Sequence, residues 1–154
     1  MSSARWTKKF LILDAHNDSL ILRQVREDPM DLTDVNPIYQ VDLPRLQKGG
    51  MDCLFCMVGD NNLHQSGILI DAVYEMCRKH ADDFQICRTA SEVRTAHADS
   101  KIAIVLTIEG QRMFDERLEH LRNCHRLGVR VASLTHGGGR RPELQYDASF
   151  FGYI

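Results

Sequence analysis

Lys101-Ile-Ala-Ile-Val-Leu-Thr-Ile-Glu-Gly110 is an unbroken, mostly aliphatic run that ends in a single carboxylate and a glycine. A run of this kind reads as a strand buried on both faces, the pattern of parallel sheets whose faces are covered by helices. In extended backbone Ala103, Val105, Thr107 and Glu109 share one face, and Ile102, Ile104, Leu106 and Ile108 share the other. Glu109 therefore ends a lane of smaller side chains, where a carboxylate without a cationic or metal partner would be costly.

The flanking sequence repeats this design. Phe10 to Asp18 reads as a buried strand that turns polar only at its C-terminal end, Met51 to Val58 as a second strand, and Val129 to His136 as a fourth. Between them lie helix signals. Leu20 to Val25 opens a short helix, and Glu27 to Asn36 is a charged connection. Asp42 to Gly50 carries an acceptor at its start, Pro44 in its first turn and glycine at its end. Ser66 is placed to cap a helix with Leu69, Ala72, Val73, Met76 and Cys77 on one face. Thr89-Ala-Ser-Glu92 is a capping box, and Asp115 is placed to cap a helix that Gly128 stops. Strands alternating with helices predict an α/β fold of about four parallel strands with right-handed crossovers.

Composition narrows the function classes. The 154 residues are 44% apolar and 26% charged, and 19 basic against 21 acidic side chains give a net charge of −2. That balance argues against nucleic acid as a partner. The longest apolar runs fall far short of the ~20 residues that cross a bilayer, so no membrane span is expected. Arg5, Lys8 and Lys9 are not followed by the apolar core or cleavage site of a signal peptide, and the expected location is cytoplasmic. Five cysteines, an odd number, fit that compartment. Cys53-x-x-Cys56 has no second ligand pair at zinc-site spacing and reads as two buried strand residues.

The polar groups fall where α/β folds build their sites. His16, Asp18, Glu109 and His136 all lie at C-terminal ends of predicted strands. His16 and Asp18, two apart on extended backbone, point to one side and are able to grip one cation. The competing reading makes His16 a loop hydrogen-bonder and Asp18 a helix cap, and for His136 a satisfied strand-end histidine. His64, His80, His97, His120 and His125 read as solvated side chains of helices and loops. No Walker loop, G-x-G-x-x-G or G-x-S-x-G motif is present.

Four segments together resemble the N-terminal half of the membrane (renal-type) dipeptidase family, zinc-dependent dipeptidases of the amidohydrolase type. They are Asp14-Ala-His-Asn-Asp-Ser19, Val41-Asp-Leu-Pro-Arg-Leu-Gln-Lys-Gly-Gly50 with Phe55 downstream, Lys101-Ile-Ala to Ile108-Glu-Gly110, and Leu127-Gly-Val-Arg followed by Leu134-Thr-His136. They occur in family order from about Phe10 to His136. The resemblance implies a (β/α)8 TIM barrel with two zinc ions at its C-terminal mouth. In that scheme His16 and Asp18 bind the first zinc, and Glu109 bridges both as a catalytic carboxylate. A hydroxide between the metals attacks a dipeptide carbonyl, and His136 contacts the substrate and stabilises the developing oxyanion.

The sequence departs from the family pattern at Gly110-Gln-Arg112, where relatives carry Gly-Gly-His. The family also draws two further zinc-ligand histidines, a substrate-binding arginine and an aspartate from later strands, and no further histidine follows His136 in this sequence. A whole barrel takes ~250 residues. Residues 1–154 are accordingly expected to form a single partial domain, the N-terminal half of a barrel. The implied function is a zinc-dependent dipeptidase in truncated form. The alternative is a non-catalytic truncated or split chain that binds a missing C-terminal half or forms a homodimer.

Overall fold

The computed structural model describes residues 10–59, 62–110, 112–114 and 117–133. Along them run β1 (Leu13–Asn17), α1 (Ser19–Val25), α2 (Leu43–Gly49), β2 (Cys53–Met57), α3 (Leu63–Lys79), β3 (Phe84–Ile86), α4 (Ala90–Ala98), β4 (Ile102–Ile108), a 3-10 turn (Arg112–Phe114), α5 (Leu118–Arg126) and β5 (Val129–Ala132). Every strand pair is parallel. β1 lies on β2 and β2 on β4; the far edge of β4 is shared by β3 along its first half and β5 along its second. This is the α/β fold expected, a parallel sheet with crossover helices that matches part of a (β/α)8 barrel.

The two faces of β4 divide the core as its sequence predicts. Ile102, Ile104, Leu106 and Ile108 pack with Leu54 and Cys56 of β2 against Leu20, Leu46, Leu69, Val73, Met76 and Cys124 of the helices. Complete burial of one such aliphatic side chain is worth about 1.5–3 kcal/mol, so this lane dominates the local energetics. The other face, Ala103 and Val105 with Cys53 and Phe55, is covered at its N-terminal end by Ala96 and Val93 of α4, together with Cys87.

Local punctuation places the helices. The Asp42 carboxylate accepts from the Arg45 N–H at 2.9 Å, Pro44 sits in the first turn of α2, and Gly50 closes it at φ 69°, in the left-handed region. The Thr89–Glu92 capping box starts α4. Arg23 organises the connection between α1 and α2. Fully buried, it donates to the Pro29 carbonyl (3.3 Å), the Asp34 carboxylate (3.1 Å) and the Asp34 carbonyl (2.9 Å), and its guanidinium stacks 4.3 Å from the Tyr39 ring centre.

Several expectations are corrected. A fifth strand, β3, was not expected; three residues are too few to show a period. The helix assigned to a Ser66 cap starts a turn earlier, because Asn62 accepts from the Gln65 N–H at 2.9 Å. Ser66 is buried inside α3 and donates back to the Asn62 carbonyl at 3.0 Å, and His64 is helical. The run from Phe10 is not a buried strand. β1 begins only at Leu13, and Phe10 and Leu13 are 57% and 50% exposed, since among the described residues β1 pairs with β2 alone. The described part of the last strand ends at Ala132. The helix assigned to an Asp115 cap begins at Leu118 after Arg117, and Asp115 lies outside the described residues.

Candidate metal centre

The site is built at the C-terminal ends of β1 and β4. On β1 the pairing advances three residues, from Asp14 to Asn17, while β2 advances two, from Leu54 to Cys56. This bulge re-aims the strand end that carries His16. Asp18 then occupies the position before α1, yet its carboxylate makes no capping hydrogen bond. The helix-cap reading of Asp18 therefore does not hold.

Glu109 arrives from β4, two strands away. Its N–H donates to the Gly59 carbonyl at 2.9 Å, which extends the β2–β4 ladder past the last assigned strand residue. The next amide, Gly110, donates to Ser133 Oγ at 2.8 Å, and the Ser133 N–H donates to the Ile108 carbonyl at 3.0 Å. The end of β4 is thus held from both neighbouring strands. Gly59 has no room for a side chain: a Cβ there would lie 2.6 Å from both Met113 Sδ and Ser66 Oγ.

Neighbouring strands lie about 4.8 Å apart, so β1 and β4 meet only because their terminal side chains lean together over the end of β2. His16 Nε2 is 3.4 Å from Asp18 Oδ1 and 3.6 Å from Glu109 Oε2. One donor atom from each of the three lies within 4.8 Å of the others, the only such cluster of three among the described residues. His16 and Asp18 are about half exposed and Glu109 is 26% exposed, which leaves the cluster open to solvent.

These separations exceed those of ordinary N–H···O hydrogen bonds, about 2.7–3.2 Å. They agree with ligands sharing an ion: two atoms each about 2.1 Å from a tetrahedral zinc stand about 3.4 Å apart. One imidazole and two carboxylates also suit a borderline-hard divalent cation chemically. The residues present fit a zinc ion. His136, the fourth candidate, lies outside the described residues.

Other candidates resolve differently. Cys53 and Cys56 fall in the two different core clusters on opposite faces of β2 and cannot grip one ion. Burial pushes the Cys53 thiol up to about 11 and the Cys56 thiol up to about 12, so both are protonated at neutral pH. Three of the histidines read as solvated are in fact engaged. His97 Nδ1 bonds Asp52 Oδ1 at 2.9 Å, His80 lies 3.4 Å from Asp31, and His120 Nδ1 bonds the Phe114 carbonyl at 2.9 Å. Gly59 and Ser133 were not singled out from the sequence, since their contribution comes from strand pairing.

Residues 2–141 match the membrane dipeptidase family, peptidase family M19. Dipeptidase ataJ of Aspergillus terreus is 28% identical over 148 residues, an alignment that covers 84% of this chain and 36% of that protein. Dipeptidase aclJ of Aspergillus oryzae is 33% identical over 148 residues, covering 81% of this chain and 34% of the relative. Among solved structures, dipeptidase AC, a metallopeptidase of family M19, superposes with a TM-score of 0.70 at 25% identity and covers 82% of this chain and 43% of its own. A Rhodobacter sphaeroides metallopeptidase shares the fold at a TM-score of 0.72 and 21% identity, covering 82% of this chain and 46% of its own. The chain thus spans about a third of the length of these curated relatives. Among the described residues no helix is long and apolar enough to cross a membrane.

Proposed function

This chain belongs to the membrane dipeptidase family, peptidase family M19, and on that premise we propose that it carries the N-terminal part of a zinc-dependent dipeptidase barrel. The observation that supports this reading is the convergence of His16, Asp18 and Glu109 at zinc-sharing distances on the ends of two parallel strands. His16, Asp18 and Glu109 would together hold zinc here. What bound zinc supplies in such a site is a Lewis acid for the scissile carbonyl and an activated water near neutral pH. The ends of β1 and β4 keep the three donors in place, which reduces the reorganisation needed when substrate arrives. His136 lies outside the described residues; by the family resemblance it would donate to the dipeptide carbonyl oxygen as negative charge builds on it.

The remaining zinc ligands come from the part of the relatives' length that this chain does not span. The outer edge of β1, which pairs among the described residues with β2 alone and carries the half-exposed Leu13, supports the same view. Such an edge pairs with a further strand, supplied by the rest of a barrel or by a second copy of the chain. That exposed edge also favours a second reading, a self-associating half-barrel without catalysis of its own. All five cysteines are free and buried, which suits the reducing cytoplasm.

The test compares this chain alone with the chain extended by the C-terminal part of an M19 relative. Zinc content, light scattering after gel filtration and hydrolysis of Ala-Ala are read on both. The chain alone is expected to associate, hold at most one zinc per copy and hydrolyse nothing; the extended chain is expected to hydrolyse the dipeptide. A monomer of this chain that holds two zinc ions and turns over Ala-Ala would overturn the proposal.

A further inference from the structure

We infer that Asn17 and Asp14 are positioning residues that hold the metal ligands His16 and Asp18 in register, an inference that rests on the metal-centre reading above. Asn17 is the buried member of the His-Asn-Asp triplet, 6% exposed between two half-exposed neighbours. A buried amide needs partners, and both ends of this one are used. Its Nδ2 donates to Asp14 Oδ2 at 2.9 Å, and its Oδ1 accepts from the Ser19 N–H at 3.2 Å. The other Asp14 oxygen accepts from the His16 N–H at 3.1 Å. Asp14 and Asn17 are thus linked to each other through their side chains and to the His16 and Ser19 backbone, and the two ligands sit inside the linked segment.

The bond to Ser19 has a particular consequence. Ser19 is the first residue of α1, and Asp18 precedes it. Aspartate at that position ordinarily spends its carboxylate on the N–H of the second or third helical residue. Here the Asp18 carboxylate makes no cap bond and lies beside His16, while Asn17 holds the first helical N–H. Without the Asn17 amide, the Ser19 N–H loses its acceptor and the backbone that carries Asp18 loses this restraint. Asp14 acts on the other ligand: it fixes the backbone of the bulge from which His16 projects.

The test titrates Co2+ into the wild-type chain and into Asn17→Ala, Asp14→Ala, the double variant and His16→Ala, following the d–d absorption band. The thermal midpoint of each metal-free chain is recorded alongside. Asn17→Ala and Asp14→Ala are each expected to weaken Co2+ binding by about ten- to 100-fold and to change the band shape, as loss of a partner that orients a ligand does. The double variant is expected to lose less than the product of the two, because both act through one linked unit. A purely structural role would lower the thermal midpoint and leave affinity and band unchanged. If His16→Ala abolishes binding while both alanine variants bind as wild type does, the positioning inference alone is overturned. Should Asn17→Ala not fold, Asp14→Ala, whose side chain is only half-buried, decides the matter. If the wild type binds no Co2+, or His16→Ala binds unchanged, the metal-centre reading fails and takes this inference with it.

Discussion

Glu109→Gln is expected to lower the chain's affinity for zinc by more than about 100-fold, the upper end of what losing a ligand's hydrogen-bond partner costs. The substitution keeps the side chain's shape and removes its charge, so an effect on metal cannot come from altered packing. Nor does the strand depend on the carboxylate for its place: the Glu109 backbone is held by its own N–H to Gly59 and the next amide to Ser133. Isothermal titration with zinc, beside circular dichroism and a melting curve, checks both halves of the statement. Undiminished zinc affinity in a folded Glu109→Gln chain would remove Glu109 from the metal shell.

The second large effect lies away from the site. Arg23→Ala is expected to destabilise the chain by roughly 2–4 kcal/mol, measured by urea unfolding, while leaving zinc affinity as it is. The side chain is fully buried, and its removal deletes three hydrogen bonds and a stacking contact and leaves a cavity. The cost stays below that of breaking a fully buried ion pair, because the Asp34 side chain is 45% exposed and rehydrates when its partner is gone. Arg23→Met refills most of the volume without the bonds and is expected to recover about 1 kcal/mol or more of the loss. A variant as stable as wild type would mean that residues 26–42 do not depend on this anchor.

How much the sequence discloses depends on how locally each feature is determined. β4 is legible because both of its lanes are uniform along the whole strand, and α2 and α4 because their caps are written in adjacent residues. The convergence of His16, Asp18 and Glu109 follows from one rule, that α/β sites form at C-terminal strand ends. β3 is not legible, since three residues carry no period. The start of α3 is not legible because Asn62 and Ser66 both have cap chemistry and only the fold decides between them. The exposure of β1 depends on what lies beside it, which no local pattern encodes. Likewise, the roles of Asn17, Gly59 and Ser133 exist only once the strands are paired. That Asn17 holds the first N–H of α1 depends on its side chain being the buried one of the triplet.

Anomalous diffraction at the zinc edge, from crystals of the zinc-loaded chain, locates the ion itself. A peak is expected about 2.0–2.2 Å from His16 Nε2 and from one carboxylate oxygen each of Asp18 and Glu109. A peak at the His97–Asp52 or His80–Asp31 pair instead, with the space between His16, Asp18 and Glu109 empty, would contradict the metal-centre reading.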